Sequence, residues 1–279
     1  MKIAYFGYDF FFSCLEILIQ RGHTIQKVFS FPCDNTYNFN TKLKKLSKDI
    51  TAPFTLEKVT KKDVDDLIQS GCELIVIAGY QYKIPVKNIS LPVINIHPTL
   101  LPMGRGQWPL PWVILKNLKK SGVTIHKVTE DLDAGDILLQ KSFRVDEFET
   151  LETLSAKSQI LAQKLISQVL SKFDFYFKNA KPQRRGASVW SMPTVEERTL
   201  NWNKTGKEIM KVVRAFGKFD SFAIFDKKEW IIQDARVWKE KHSYQSGTVV
   251  HPMNKEVVIA IKDGFICLTS YQVDPDFKE

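Results

Sequence analysis

Four short, largely apolar runs constrain the fold of this chain more than any other feature: Lys2–Phe6, Thr24–Phe29, Leu74–Ala78 and Pro92–Ile96. They do not follow the strict polar–apolar alternation of a strand with one wet face, so they belong inside a sheet covered on both sides. Between them lie segments with helix-like spacing, at Ser13–Ile19, Asn40–Ser47 and Lys61–Ser70. Strands alternating with helices predict an α/β fold with a doubly wound, mostly parallel sheet.

Two further strands are expected at Gly122–Val128 and Ile137–Phe143, flanking the loop Thr129–Asp136, and a long helix at Thr150–Phe173. Composition then shifts at Asn179–Ala187, with Pro182, Arg184, Arg185 and Gly186, which reads as a linker. We therefore expect a catalytic domain at 1–180, a linker at 181–198 and a small domain at 199–279. The last opens with a helix, since Thr205 and Glu208 have capping-box spacing and Gly217 stops the apolar face of Ile209, Val213 and Phe216. Five short strand-like runs from Phe222 to Thr269 follow, and their spacing predicts a small β-barrel-like domain.

Several classes are excluded. The turn after the first strand reads Gly7-Tyr8-Asp9-Phe10, without the three glycines that let a pyrophosphate approach the backbone, so no nicotinamide or flavin cofactor is expected. No apolar run approaches the roughly 18 residues of a membrane helix, so no membrane partner is expected, and the start reads as a strand rather than a signal peptide. Four scattered cysteines, Cys14, Cys33, Cys72 and Cys267, form no metal or redox pair and suit the cytoplasm. Asp131, Asp133 and Asp136 lack the ligand order of a calcium loop, so no metal is expected. The net charge of +9 is spread along the chain, as on a solvated surface, with one local excess between Lys181 and Lys218 that suits an anionic substrate.

The chemistry concentrates in two segments. Asn95 and His97 are two apart at a strand end and point to one face, near the carboxyl edge of the sheet where such folds place their sites. A carboxamide beside an imidazole suits acyl chemistry: one donates to an oxyanion, the other moves a proton near neutral pH. A buried, hydrogen-bonded strand-end histidine would account for the pair equally well. In the second segment Asp133 occupies a short loop ending in Gly135, where a carboxylate near an imidazole would orient it and favour its protonated form.

The pattern Asn95-Ile-His97-Pro-Thr-Leu-Leu-Pro with Arg105-Gly106, followed by Gly122-Val-Thr-Ile-His126 and Asp133-Ala-Gly-Asp-Ile, resembles the 10-formyltetrahydrofolate-dependent formyltransferases over roughly residues 1–180. Leu200-Asn-Trp202 and Val213-Arg214-Ala215-Phe216 resemble the small C-terminal domain of the tRNA and sugar-nucleotide members. The resemblance implies a Rossmann-like catalytic fold, 10-formyltetrahydrofolate as co-substrate and direct formyl transfer to an amine without metal. It implies Asn95, His97 and Asp133 as the catalytic trio, and folate contacts at Gly79, Tyr80 and Gln81 and at Thr129, Glu130, Asp131, Leu132 and Asp133. Some relatives carry an arginine where this chain has Gln107.

For the acceptor, the resemblance leads first to a nucleotide-linked amino sugar, with Arg105, Arg184 and Arg185 as candidate contacts to its diphosphate. Methionyl-tRNA is the alternative; formyl-folate hydrolysis or a purely binding role is a second. The discriminating segment is Ser30–Pro53: its stretch Phe31–Asn40 contains neither the arginine nor the glycine of the basic insertion in tRNA enzymes, and Lys42, Lys44, Lys45 and Lys48 read as one exposed helix face. Nucleic acid is thus a partner only under the alternative. The sugar branch often forms dimers, so a homodimer fits. Trp190, Trp202, Trp230 and Trp238 read as packing residues rather than base-stacking platforms.

Overall fold

A computed structural model describes residues 1–35, 38–184, 186–217, 221–225, 228–252 and 256–273. The chain forms two compact units. The first comprises Met1–Pro109, Lys120–Arg144 and Ser155–Ser191; the second comprises Leu110–Lys119, Val145–Leu154 and Met192–Glu279. Neither unit follows the three consecutive stretches read from the sequence, since two short internal segments join the second unit and residues 181–191 join the first.

The first unit is built on seven strands: β1 (Lys2–Gly7), β2 (Thr24–Phe29), β3 (Phe54–Thr55), β4 (Leu74–Ala78), β5 (Val93–His97), β6 (Lys120–Lys127) and β7 (Ile137–Arg144). They lie in the order β3-β2-β1-β4-β5-β6-β7, parallel through β5 and antiparallel across β6 and β7. β6 and β7 are joined by a short loop, which can link only antiparallel neighbours, whereas a parallel pair needs a long crossover.

Both faces of this sheet are buried, as the apolar runs require. Ile3 and Tyr5 join Val76, Ile94, Ile96, Val123 and Ile125 on one face. There they meet Leu15 and Leu18 of α1 (Phe12–Gln20) and Leu165 and Val169 of α5 (Leu151–Ser171). Ala4, Phe6, Ile75, Ile77 and Val93 point to the other face and meet Val64 and Leu67 of α3 (Lys61–Gln69). Thr60 caps α3 in a reciprocal box with Asp63. In the turn after β1, Asp9 accepts hydrogen bonds at 3.0 Å from the amides of Lys42 and Leu43, in the first turn of α2 (Thr41–Asp49).

The second unit contains β8 (Phe222–Phe225), β9 (Lys228–Lys239), β10 (Val249–Pro252), β11 (Val257–Ile261) and β12 (Gly264–Val273), all antiparallel in the order β10-β11-β12-β9-β8. The helix α8 (Gly206–Phe216) packs Ile209 and Val213 onto Ile232, Ile259, Ile261, Ile266 and Leu268 of this sheet. The expected capping box of Thr205 and Glu208 starts α8. Short helices at α4 (Leu110–Leu115), α6 (Phe173–Lys178) and α7 (Val195–Arg198) have no counterpart in the sequence reading, because four to six residues carry too little periodicity to register. Arg214 of the Val-Arg-Ala-Phe motif donates to the Glu149 carbonyl at 2.9 Å, and Trp202 stacks on Phe225. Among the described residues no helix is long and apolar enough to cross a membrane.

Candidate active site

The site grows from β5. Val93 faces the second core cluster while Ile94 and Ile96 face the first, so Asn95 and His97 project from the Val93 side. Asn95 pairs with His126 across β6, and His97 pairs with Thr124, which places all four on that same face. The next loop is anchored from below. Thr124 Oγ1 donates to the Thr99 carbonyl at 2.6 Å and accepts from the Leu101 amide at 3.2 Å. Gln140 Nε2 adds bonds to Thr124 Oγ1 and to the Leu101 carbonyl.

The loop after β6 brings Asp133 onto this face. Its backbone is left-handed (φ 49°), a conformation that aspartate tolerates better than most residues. One carboxylate oxygen, Oδ1, accepts from Asn95 Nδ2 at 3.1 Å and lies 3.5 Å from His126 Nε2. The other, Oδ2, accepts from the Gly106 amide at 3.0 Å and lies 3.6 Å from His97 Nδ1. Burial alone would raise the Asp133 pKa, but the His97 charge, the hydrogen bond from the Gly106 amide and the charge that His126 carries when protonated hold it well below the usual carboxylate range. His97 moves down from its ordinary value: burial dominates, Asp133 and the Gly104 carbonyl oppose it, and His126 adds to it.

The carbonyl of Gly104 determines which ring nitrogen of His97 is free to exchange a proton. It can only accept, so His97 Nε2, 2.7 Å away, carries the hydrogen, and Nδ1 is left to exchange a proton beside Asp133. His126 is ordered by the same logic. Its Nδ1 donates to the Lys127 carbonyl at 2.7 Å, and its Nε2 accepts from Asn95 Nδ2 at 3.2 Å. Both Nδ2 hydrogens of Asn95 therefore point at protein acceptors. To stabilise an oxyanion Asn95 must release one of them, and the longer bond, to His126, is the weaker.

The structure thus joins Asn95, His97 and Asp133 in one cluster and adds His126, to which the sequence reading gave no role. The signal was present: His126 lies opposite Asn95 once β5 and β6 are paired antiparallel. His97 is only 4% exposed and hydrogen-bonded, a buried strand-end histidine that also belongs to the polar cluster. Gly79 is left-handed and lies under the ring of Tyr8, while Gln81 is exposed. Tyr80 is buried; its hydroxyl accepts from the Val59 amide and donates to the Glu57 carbonyl. Thr129, Glu130, Asp131 and Leu132 are exposed along their loop. Arg105 directs Nε and Nη2 to the side-chain oxygen of Gln183, Arg184 is exposed, and Arg185 lies outside the described residues. Among the described residues no group of His, Cys, Asp and Glu side chains is arranged to hold a metal ion.

Known proteins agree with this geometry. The Formyl transferase family matches residues 23–170, and the formyl transferase C-terminal domain matches residues 193–275. Methionyl-tRNA formyltransferase of Staphylococcus aureus is 26% identical over 207 residues, covering 72% of this chain and 67% of that protein. An N-formyltransferase from Helicobacter canadensis, solved with folinic acid and dTDP-3-aminofucose, has a similar fold (TM-score 0.72, 18% identity), covering 97% of this chain and 99% of that one. HypX from Aquifex aeolicus, solved with tetrahydrofolic acid, is similar as well (TM-score 0.71, 20% identity), although this chain, 97% covered, spans only 44% of it. With one family description over its sheet and the other over its C-terminal unit, the chain belongs to the formyl transferase family and is an N-formyltransferase that draws on 10-formyltetrahydrofolate.

Proposed function

We propose that this enzyme transfers the formyl group of 10-formyltetrahydrofolate to the amine of a nucleotide-linked amino sugar. The acceptor amine attacks the formyl carbon, and the new C–N bond forms as the bond from that carbon to N10 of the folate breaks. His97 Nδ1 takes the proton from the attacking nitrogen and returns one to N10 as it leaves. Asp133 stabilises the imidazolium between the two steps. An Asn95 N–H released from His126 supports the oxyanion, a contribution of about 3 kcal/mol for a donor of this kind.

The folate half of the reading draws on a cavity of about 340 Å³ in the first unit, lined in part by Lys58, Lys61, Ile84, Lys83, Lys87 and Glu130. It adjoins both expected folate segments, since Lys83–Lys87 follows Gly79–Gln81 and Glu130 belongs to Thr129–Asp133. Lys61 pairs with Asp65 and Lys58 lies over the Tyr82 ring, while Lys83 and Lys87 are exposed. These ammonium groups suit the carboxylates of a folate's glutamyl end, and the exposed Leu132 offers apolar surface to a flat ring.

The observation that carries the sugar reading is the segment Phe31–Asn40. It holds no lysine or arginine. Phe31 is buried near Tyr8, Tyr80 and Tyr82, and Asn40 Nδ2 donates to its carbonyl at 2.8 Å. A stretch lacking cations has no ammonium or guanidinium with which to hold a polyphosphate backbone. The match to methionyl-tRNA formyltransferase favours tRNA as the second reading. Mass spectrometry of reactions with 10-formyltetrahydrofolate and either dTDP-linked amino sugars or methionyl-tRNA decides between them. Formylation of the tRNA with no formylated sugar nucleotide would overturn the proposed acceptor.

A further inference from the structure

The carboxamide of Gln183 makes four hydrogen bonds. Its oxygen accepts from Arg105 Nε at 3.1 Å and from Arg105 Nη2 at 2.6 Å. Its nitrogen donates to the Asp133 carbonyl at 2.7 Å and to the Gly135 carbonyl at 2.9 Å. Only one orientation of the amide satisfies these partners, because a guanidinium only donates and a carbonyl only accepts. The segment around Gln183 is itself zipped to both loops of the site. Lys181 and Ile137 exchange backbone bonds, the Arg105 amide donates to the Ser188 carbonyl, and the Trp190 amide donates to the Arg105 carbonyl.

We propose that Gln183 is a positioning residue for formyl transfer, clamping the Arg105 loop to the Asp133 loop so that the Asp133 carboxylate is held against His97. Asp133 is held at its main chain by Gln183 and at its side chain by Asn95 Nδ2 and by the Gly106 amide, which follows Arg105 directly. Its backbone is left-handed, and Gln183 holds its carbonyl and that of Gly135 from outside the loop Thr129–Asp136. The titratable groups facing His97 are Asp133 and His126, with the Gly104 carbonyl on its far nitrogen. Of these, Asp133 supplies the negative charge, so its displacement changes the proton affinity of His97 directly. Displacements on the order of 1 Å at such a group cost about a hundredfold in rate.

The inference rests on the formyl-transfer reading, and its test separates the two. Gln183→Ala and the near-isosteric, uncharged Gln183→Met are compared with the wild-type enzyme. The readouts are kcat and KM with 10-formyltetrahydrofolate and a dTDP-linked amino sugar, thermal unfolding, and the His97 titration followed by the ring ¹³C resonance. We expect kcat to fall about tenfold or more with KM for each substrate little changed, and the His97 midpoint to move to lower pH as the Asp133 charge recedes. Gln183→Met keeps the side-chain volume, so it carries the test if Gln183→Ala does not fold. An unmoved His97 midpoint in the folded variant overturns the proposal, whatever happens to Tm. If the wild-type enzyme transfers no formyl group to the sugar nucleotide, the acceptor reading fails while the titration still decides the role of Gln183.

Discussion

Asp133 Oδ2 lies 3.6 Å from His97 Nδ1, and the opposite nitrogen of the same ring is occupied by the Gly104 carbonyl at 2.7 Å. The imidazole is thus fixed at one end and free to exchange a proton at the other. The hydrogen on Nε2 orients the ring, and the charge of Asp133 sets how readily Nδ1 holds a proton.

Replacing His97 with Asn removes the proton carrier and should lower kcat/KM by about 10²–10⁴-fold. The fold should survive, but not without cost. The ring is buried and its loss removes the shorter bond to the Gly104 carbonyl, which keeps the Thr99 hydroxyl at 3.2 Å, at about 0.5–1.5 kcal/mol. Chemical denaturation beside a transfer assay measures both. Near-normal turnover would remove His97 from the mechanism.

Asp133→Asn removes the charge that raises the His97 pKa, so that pKa falls further below its ordinary value. The acid limb of the rate profile should then move to lower pH and the plateau rate should drop. A pH–rate profile that overlays that of the wild type would mean that Asp133 serves only the turn.

Stability should carry the same signature. The folded-state pKa of His97 lies below its unfolded value of about 6.5, so the unfolded chain binds the proton first. Stability is therefore fully present above about pH 6.5 and declines as the pH falls from there toward the folded pKa. Asp133 has a depressed pKa and contributes stability above about pH 4, lost on further acidification. Urea unfolding across pH 4 to 8 should show the first decline in the wild type and a shallower one in His97→Asn.

Gly106→Ala should be among the most damaging single-methyl changes in the chain. Gly106 has φ 129°, and an added Cβ would lie 2.3 Å from the Trp190 carbonyl oxygen. The strain costs about 1–3 kcal/mol or more and pulls the Gly106 amide from Asp133. We expect a lower Tm together with a reduced kcat. An unchanged Tm would show that the segment at Trp190 yields without loss.

The two substrates should separate by charge. Arg184→Ala with Arg185→Ala should raise KM for the sugar nucleotide about tenfold or more and leave that for folate unchanged, as loss of a charge-assisted bond worth about 1.5–3 kcal/mol implies. Lys83→Ala with Lys87→Ala should do the reverse. Steady-state kinetics with each substrate varied in turn checks both pairs, and equal weakening of both substrates by either pair would refute that assignment.

Much of the catalytic sheet was legible because its determinants are local. Strands at Thr24–Phe29 and Leu74–Ala78 fall where the apolar runs place them. The i, i+2 spacing of Asn95 and His97 already aligned them on one face. The capping box at Thr205 was readable as a short-range pair, and the one at Thr60 emerged only with the structure. The second unit was less legible at its edges: β9 and β12 run several residues beyond the expected strands, since pairing with a long neighbour extends a strand past the residues that favour it.

The sequence by itself determined which side chains could do acyl chemistry and the layered scaffold that would carry them, because periodicity and capping act over a few residues. Only the tertiary structure decided how those groups are wired. Asn95 meets Asp133 across 38 positions, Gly106 meets it across 27, and Gln183 holds its carbonyl from 50 positions away. No periodicity records such contacts. They arise where the register of β5 on β6 and the path of the segment after α6 bring donors to acceptors that burial has cut off from water, and each bond forms because leaving its partners unpaired there would cost more.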